Sequence, residues 1–132
     1  MIRVLVVDDH ELVRSGITRM LADNPDLDVI GQASSGEDAI EFVRENRPDI
    51  VLMDIRMPGI GGLEATRRIL RLDDSIRVIV VTACADDPYP SRVMQSGAQA
   101  YITKGADIQE MVRAIRKAHS GQRYISPEIA QK

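Results

Sequence analysis

Two alternating patterns of hydrophobic residues run along the chain. Short apolar runs rich in Val and Ile predict strands, and longer stretches with an apolar residue every three or four positions predict helices. Strands that alternate with helices favour right-handed crossovers and a parallel sheet covered on both faces, so the predicted class is α/β with three layers. The predicted strands are Arg3–Val7, Asp28–Ala33, Asp49–Met53, Arg77–Val81 and Ala100–Ile102.

Five helices are predicted, and prolines, glycines and capping side chains mark where they begin and end. These limits are Pro25 after the first helix, Ser35 and Pro48 around the second, Pro88 or Pro90 before the fourth, Gly97 after the fourth, and Asp107 and Gly121 around the last. The third helix has no such limits, and it is recognised by its apolar positions Leu63, Ile69 and Leu70.

Beyond Gly121, the sequence Ser126-Pro127-Glu128 has the features of a helix start. A helix that begins so near the last residue is expected to have nothing in this chain to pack against. We therefore expect residues 1–121 to form one folded domain. Residues 122–132 are then expected to be a linker toward a further domain that this chain lacks.

Length and composition agree with one aliphatic domain. The 132 residues are 44% hydrophobic but only 3% aromatic, and the single cysteine cannot form an internal disulfide. A net charge of −3 and the absence of Trp disfavour binding to nucleic acids or to an anionic membrane through these residues. No targeting signal or stretch of transmembrane length is found, so a cytoplasmic location is predicted.

Polar residues follow four of the five predicted strands. Asp8 and Asp9 come after the first strand, Asp54 after the third, Thr82 after the fourth and Lys104 after the fifth. Ligands of such sheets bind at the carboxyl ends of the strands, so these side chains are expected to converge. Three carboxylates in one place repel one another unless a cation joins them, which predicts a site for Mg²⁺ or Mn²⁺ beside Lys104.

A carboxylate beside a metal ion and an ammonium group is suited to attack phosphorus. Asp54 is the best candidate nucleophile, because it leads the loop DIRMPGIGG, in which glycines allow tight turns. The Arg56 carbonyl is a candidate metal ligand, and the Thr82 hydroxyl is expected to bond a phosphoryl oxygen.

Each of these residues also has an ordinary structural explanation. Asp8 and Asp9 could cap the first helix, Asp54 could be a turn residue, and Lys104 could be a solvated surface charge. None of these explanations accounts for all the residue types arriving at successive strand ends. His10, His119 and Cys84 are assigned no chemistry.

The segments VLVVDDH, VLMDIRMPGIGG, VIVVTA and AYITK resemble the receiver domain of two-component response regulators. The resemblance covers residues 1–121 and implies a flavodoxin-like (βα)5 sandwich with a five-stranded parallel sheet of order 2-1-3-4-5. Within this family, DDHELVRSGI, TKGA and GQRYISPEIAQ resemble the NarL/FixJ subfamily and its GacA/UvrY regulators. Those proteins carry a LuxR-type helix-turn-helix domain after the receiver, so DNA binding is expected only through that domain.

The resemblance implies specific roles and partners. Asp54 is implied as the phosphorylation site and Lys104 as the lysine that contacts the phosphoryl group, with Thr82 and Tyr101 as the switch pair. The implied metal site, for Mg²⁺ or Mn²⁺, consists of Asp8, Asp9, Asp54 and the Arg56 backbone carbonyl. Partners implied are a sensor histidine kinase of the hybrid, phosphorelay type and a second copy of the chain in a phosphorylation-promoted homodimer.

Three positions bear on how this chain compares with the receivers that it resembles. Arg56 and Cys84 stand two residues after Asp54 and Thr82, where receivers tune the lifetime of the phosphoryl group. Gly105 follows Lys104 where many receivers have proline, often after a cis peptide bond, so the geometry of that loop is left open.

Two other function classes fit the sequence less well. A haloacid-dehalogenase phosphohydrolase also uses an aspartyl nucleophile with Mg²⁺, but it carries Asp-x-Asp-x-Thr on its first strand. A flavodoxin-like nucleotide binder needs a phosphate loop rich in Ser, Thr and Gly after the first strand, where this chain has the acidic DDHEL. We therefore predict a signalling switch that catalyses only its own phosphoryl transfer and autodephosphorylation.

Overall fold

The computed structural model describes residues 1–83 and 90–130 and contains a parallel six-stranded sheet of order β2-β1-β3-β4-β5-β6. Five of these strands have the predicted positions to within one residue at each end, and the order 2-1-3-4-5 is confirmed. The strands are β1 Ile2–Val7, β2 Leu27–Ala33, β3 Ile50–Asp54, β4 Arg77–Thr82, β5 Ala100–Thr103 and β6 Tyr124–Ile125.

Helices cover both faces of the sheet in the described part of the chain. They are α1 Glu11–Leu21, α2 Gly36–Asn46, α3 Gly61–Leu72, α4 Pro90–Gln95, α5 Ile108–His119 and α6 Pro127–Ala130. The side chains of Ser35 and Asp107 cap α2 and α5 by accepting hydrogen bonds from Asp38 and Glu110, as predicted. Of the two candidate starts of the fourth helix, Pro90 is the first residue of α4 that the structure describes, and Pro88 lies outside the described residues. Gly97 follows this helix with φ +102°.

Two apolar clusters fill the space between the sheet and its helices. One lies under α1 and α5 and includes Leu21 and Ile115, and the other lies under α2, α3 and α4 and includes Val43 and Ile69. The central strands β3 and β4 are almost entirely buried, which explains why their sequences are continuous apolar runs. This packing fixes the carboxyl ends of the strands at one edge of a rigid core.

The tail beyond Gly121 differs from the expectation. Tyr124–Ile125 forms the sixth strand against β5, and Ile129 of α6 is only 1% exposed within the cluster under α4. The expectation that a helix so near the last residue has nothing to pack against is therefore wrong, because β5 offers an open edge and an apolar pocket. Whether residues 122–132 also lead to a further domain stays a prediction.

Gly62 allows the start of α3 to approach the backbone of Asp54. A β-carbon on Gly62 would lie 2.2 Å from the Asp54 carbonyl oxygen and 2.9 Å from the Ile55 α-carbon. Both neighbours are backbone atoms of the buried strand end, so neither can move without displacing Asp54. Glycine is required here by space, because Gly62 is not among the positive-φ glycines.

Gly62→Ala is expected to destabilise the domain by about 1–3 kcal/mol, since a new methyl group must displace packed backbone. Gly16→Ala is the matched control, because Gly16 lies within α1 and a β-carbon there meets nothing within 4 Å. The control should be stabilised by about 0.5–1 kcal/mol through helix propensity. Urea denaturation measures both changes, and equal effects of the two substitutions would contradict the steric argument.

Candidate functional site

The carboxyl edge of the sheet gathers the predicted polar residues. Asp8 follows β1, Asp54 is the last residue of β3, Thr82 is the last residue of β4, and Lys104 follows β5. Asp8, Asp54 and Thr82 are buried, with exposed fractions of 2–3%. The convergence expected from the sequence is therefore present.

Lys104 bridges two of the carboxylates. Its Nζ lies 3.1 Å from Asp8 Oδ2 and 3.3 Å from Asp54 Oδ2. The lysine backbone is fixed as well, because the Lys104 N–H donates to the Thr82 carbonyl at 2.7 Å. The Lys104 ammonium group is thus held in place by two carboxylates. The explanation of Lys104 as a solvated surface charge is therefore wrong.

The ionisation of Asp54 is opposed by its surroundings. Burial raises the pKa of Asp54 above its usual range, and the negative charge of Asp8 raises it further, while Lys104 acts against both effects. Burial alone would lower the pKa of Lys104, but its hydrogen bond to Asp8 and the charges of both carboxylates leave that pKa above its ordinary value. The lysine therefore stays charged while the carboxylates remain crowded.

The acidic residues form a group that fits a metal ion. Ligand atoms of Asp8, Asp9, His10 and Asp54 all lie within 4.8 Å of one another. Asp9 Oδ1 is buried and accepts no hydrogen bond, although His10 Nδ1 is 3.1 Å away. A buried carboxylate oxygen without a donor is costly, and a hard divalent cation is the kind of partner that would satisfy it.

The helix-capping explanation of the acidic pair is wrong. The residue at the N-cap of α1 is His10, and its side chain makes no capping hydrogen bond. Asp8 Oδ1 instead accepts a hydrogen bond from the His10 backbone N–H at 2.8 Å, and the Asp8 carbonyl accepts one from Arg14. The carboxylates of Asp8 and Asp9 therefore face the site and not the exposed N–H groups of α1.

His10 belongs to the site, although no chemistry was assigned to it from the sequence. It does occupy the N-cap and is 65% exposed in its side chain, but Nδ1 lies 3.2 Å from Asp8 and 3.1 Å from Asp9. The one sequence signal was its position directly after two acidic residues.

The structure describes three of the four remaining predicted residues, namely Thr82, Tyr101 and Arg56. Thr82 and Tyr101, the implied switch pair, are both buried. The Arg56 side chain is exposed, while its backbone donates a hydrogen bond to the Asp54 carboxylate. Cys84 lies outside the described residues.

The loop after Lys104 closes without a cis peptide bond. Among residues 1–83 and 90–130 no peptide bond is cis, so the Lys104–Gly105 bond is trans. The loop is closed by a hydrogen bond from the Ala106 N–H to the Thr103 carbonyl. The geometry of this loop, which the sequence left open, is therefore that of a trans peptide bond.

Comparison with known proteins identifies the family. The model of the response regulator receiver domain matches residues 4–116, which include every residue of the site. The chain belongs to the response regulator receiver domain family. The expectation drawn from the sequence segments is thereby confirmed.

Relatives of this receiver domain place it in the NarL/LuxR group. It is 64% identical to the response regulator GacA of Pseudomonas aeruginosa and 56% identical to the response regulator UvrY of Escherichia coli, in each case over 131 residues that cover 99% of this chain. Those residues are 61% of GacA and 60% of UvrY, so the chain spans about three fifths of the length of these relatives.

Solved structures agree with this assignment. A two-component response regulator of the LuxR family from Aurantimonas matches with a TM-score of 0.92 at 39% identity, covering 98% of this chain and 92% of that one. The response regulator domain of Thermotoga maritima CheB matches with a TM-score of 0.82 at 32% identity, covering 91% of this chain and 97% of that one. The flavodoxin-like receiver fold is therefore confirmed.

Asp54→Asn is expected to raise the free energy of unfolding at pH 7 without divalent cations, because the variant need not ionise a carboxyl group whose pKa is raised by burial. The gain should disappear once the pH is below about 4, the pKa of Asp in the unfolded chain, since the carboxyl group is then protonated in both states. Urea denaturation in EDTA at pH 7 and pH 3 measures both values.

Asp73→Asn serves as a control of opposite sign. Hydrogen bonds from Ser75 lower the pKa of Asp73, so its replacement should reduce stability at pH 7. Equal stability of the wild type and Asp54→Asn at pH 7 would contradict the crowding described for the site.

Proposed function

We propose that Asp54 accepts a phosphoryl group from a phosphohistidine of a sensor kinase. The single observation that carries this proposal is the buried Asp54 carboxylate, held 3.3 Å from the Lys104 ammonium group beside two further acidic residues. An anionic nucleophile next to fixed positive charge is suited to phosphoryl transfer, in which negative charge spreads over the equatorial oxygens.

A divalent cation, Mg²⁺ or Mn²⁺, completes this site in our proposal. Asp8, Asp9 and Asp54 would hold it with the Arg56 backbone carbonyl, and the unpartnered oxygen of Asp9 supports this ligand set. When bound, the cation supplies positive charge that offsets the crowded carboxylates and the oxygens of the transferred group.

The residues of the chain then have separate tasks. An Asp54 carboxylate oxygen forms a bond to phosphorus as the bond between phosphorus and the donor histidine nitrogen breaks. The Lys104 ammonium group stays charged and moves its hydrogen bond from Asp54 to a phosphoryl oxygen. The Thr82 hydroxyl donates to another phosphoryl oxygen, and the displacement of Thr82 is accommodated by Tyr101 on the neighbouring strand.

Release of the phosphoryl group requires water to reach phosphorus. Arg56 and Cys84 are our candidates for setting how long the phosphoryl group persists, by gating that water. The Arg56 side chain is exposed and two residues from Asp54, which is compatible with this role. The domain in this proposal catalyses only its own phosphorylation and dephosphorylation and does not turn over a separate substrate.

Incubation with acetyl phosphate and Mg²⁺ is expected to add one phosphoryl group to the wild-type chain and none to Asp54→Asn. Intact-mass spectrometry measures the addition, and Asp28→Asn is a control at an exposed carboxylate on β2. Phosphorylation of Asp54→Asn to the same level as the wild type would contradict the assignment of Asp54. Rapid turnover of small phosphomonoesters would favour a phosphohydrolase instead.

The kinase is proposed to dock on α1, next to the site. Leu12 is 88% exposed, and it lines an apolar groove of about 220 Å³ together with Val13, Ile17 and the loop residue Lys104. A large exposed apolar side chain beside a phosphoacceptor is explained by a protein surface that covers it during transfer. We expect the donor to belong to a sensor histidine kinase of the hybrid, phosphorelay type.

Leu12→Asp is expected to slow phosphotransfer from such a kinase domain at least tenfold, since a charge would be buried in the complex. Phosphorylation by acetyl phosphate should be unchanged, because the small donor does not contact α1. Leu12→Met is the matched control that keeps the apolar surface. Equal transfer rates to the wild type and Leu12→Asp would contradict docking at this groove.

Phosphorylation is further proposed to promote a homodimer, by analogy with similar regulators. In the complete regulator, DNA would be bound by a separate helix-turn-helix domain and not by these residues, whose net charge is −3.

We propose a cytoplasmic location. No helix in residues 1–83 and 90–130 is long and apolar enough to cross a membrane.

Light scattering with and without beryllofluoride and Mg²⁺ tests the dimer. Beryllofluoride imitates the phosphoryl group, so the mass of the wild type should rise toward twice that of the monomer while that of Asp54→Asn does not change. A wild-type mass that is unchanged at saturating beryllofluoride would count against phosphorylation-promoted association.

A further inference from the structure

Residues 122–130, here called the tail, are fastened to the edge of the sheet. The Ser126 N–H donates a hydrogen bond of 2.9 Å to the Tyr101 carbonyl, and the Tyr124 N–H donates one of 3.3 Å to the Gln99 carbonyl. These bonds continue the parallel ladder of β5, in which Tyr101 pairs with Ile125. The tail is therefore a strand of the receiver sheet that covers the edge of β5.

Helix α5 holds the tail from a second side. Ser126 Oγ donates to Glu110 Oε1 at 3.2 Å, and the Gln122 N–H donates to the Lys117 carbonyl at 2.9 Å. The Lys117 ammonium group lies 5.3 Å from the centre of the Tyr124 ring. The Ser126 side chain is fully buried as a result of these contacts.

Helix α6 closes the apolar cluster that contains Tyr101. Ile129 is 1% exposed and belongs to the same buried cluster as Tyr101, Val93 and Ala98. The tail thus touches Tyr101 through its backbone and shares the surroundings of its ring. Removing the tail would leave the outer edge of β5 unpaired and this cluster open to water.

The same tyrosine is connected to the phosphoacceptor edge. Tyr101 pairs with Val80 on β4, and Thr82 is the residue two positions further along that strand. Side chains two positions apart in a strand point to the same face, so Thr82 and Tyr101 lie on one side of the sheet. A displacement of Thr82 toward Asp54 therefore changes the space next to the Tyr101 ring.

We infer that docking of the tail is coupled to phosphorylation through Tyr101. The docked tail holds Tyr101 in its buried position, and this position accommodates Thr82 when Thr82 binds the phosphoryl group. Coupling between two sites is reciprocal, so a group on Asp54 tightens the tail and loss of tail contacts weakens binding of that group. The inference rests on the proposed roles of Asp54 and Thr82, and it makes the tail an output element of the domain.

Amide hydrogen exchange tests the effect of the site on the tail. In the wild type, saturating beryllofluoride with Mg²⁺ is expected to slow exchange at Ser126, Ile129 and Ala130 at least threefold. The Ser126 N–H donates to the Tyr101 carbonyl, and the N–H groups of Ile129 and Ala130 donate to the Ser126 carbonyl, so all three are protected only while the tail is docked. In Thr82→Ala the same treatment should leave these rates unchanged. Unchanged tail exchange in the wild type would overturn the inference.

Beryllofluoride titration of tail variants tests the reverse effect. Ile129→Ala is expected to raise the concentration of beryllofluoride needed for half-maximal stabilisation at least threefold, while Glu128→Ala, at an exposed position of the same helix, should leave it unchanged. Ile129→Val, which retains most of the buried side chain, should give a smaller change in the same direction if Ile129→Ala is unfolded.

Beryllofluoride titration separates the coupling from the role of Asp54. Stabilisation of the wild type by beryllofluoride, combined with equal midpoints for Ile129→Ala and Glu128→Ala, would overturn the coupling but leave the role of Asp54 intact. Absence of any stabilisation of the wild type would contradict the proposed function, and the coupling with it.

Discussion

The ion-pair bridge from Lys104 to Asp8 and Asp54 is the interaction on which the chemistry of this domain depends. One ammonium group, 3.1 and 3.3 Å from two buried carboxylates, is set against an acidic group that also includes Asp9. The positive charge of Lys104 therefore offsets only part of the negative charge of the three carboxylates. Such a site favours additional positive charge, and in the proposed function a bound cation would free Lys104 to contact an incoming anion.

The fold makes this unfavourable arrangement possible. Parallel strands end at one edge of the sheet, and the buried strands β1, β3 and β4 fix the backbone there with little freedom. Close packing of Gly62 on the Asp54 carbonyl removes a further way for the acidic side chain to withdraw. Stability of the apolar clusters thus offsets the cost of holding like charges together, as is common at functional sites.

Most of the fold and the site were predictable because their signals are local and repeated. Continuous apolar runs identify the buried strands, and Asp8, Asp54 and Thr82 stand at the ends of three of them. The sixth strand was missed because two residues carry no periodic pattern, and its formation depends on the free edge of β5. The burial of Tyr101 and Ile129 has the same origin, since each depends on a segment distant in sequence.

The contact of His10 with the acidic pair was missed for a different reason. His10 occupies the N-cap of α1, and the direction of its ring is set by the turn between β1 and α1. Short-range sequence patterns identify where a side chain lies along the chain and do not specify where it points.

Titration of the chain with Mg²⁺ in a calorimeter tests the central claim most directly, because it measures whether the crowded carboxylates recruit a divalent cation. We expect one Mg²⁺ per wild-type chain, with binding weakened at least tenfold in Asp9→Asn and unchanged in Asp28→Asn. Equal Mg²⁺ affinity in the wild type and Asp9→Asn, or no binding to the wild type at millimolar Mg²⁺, would contradict the account.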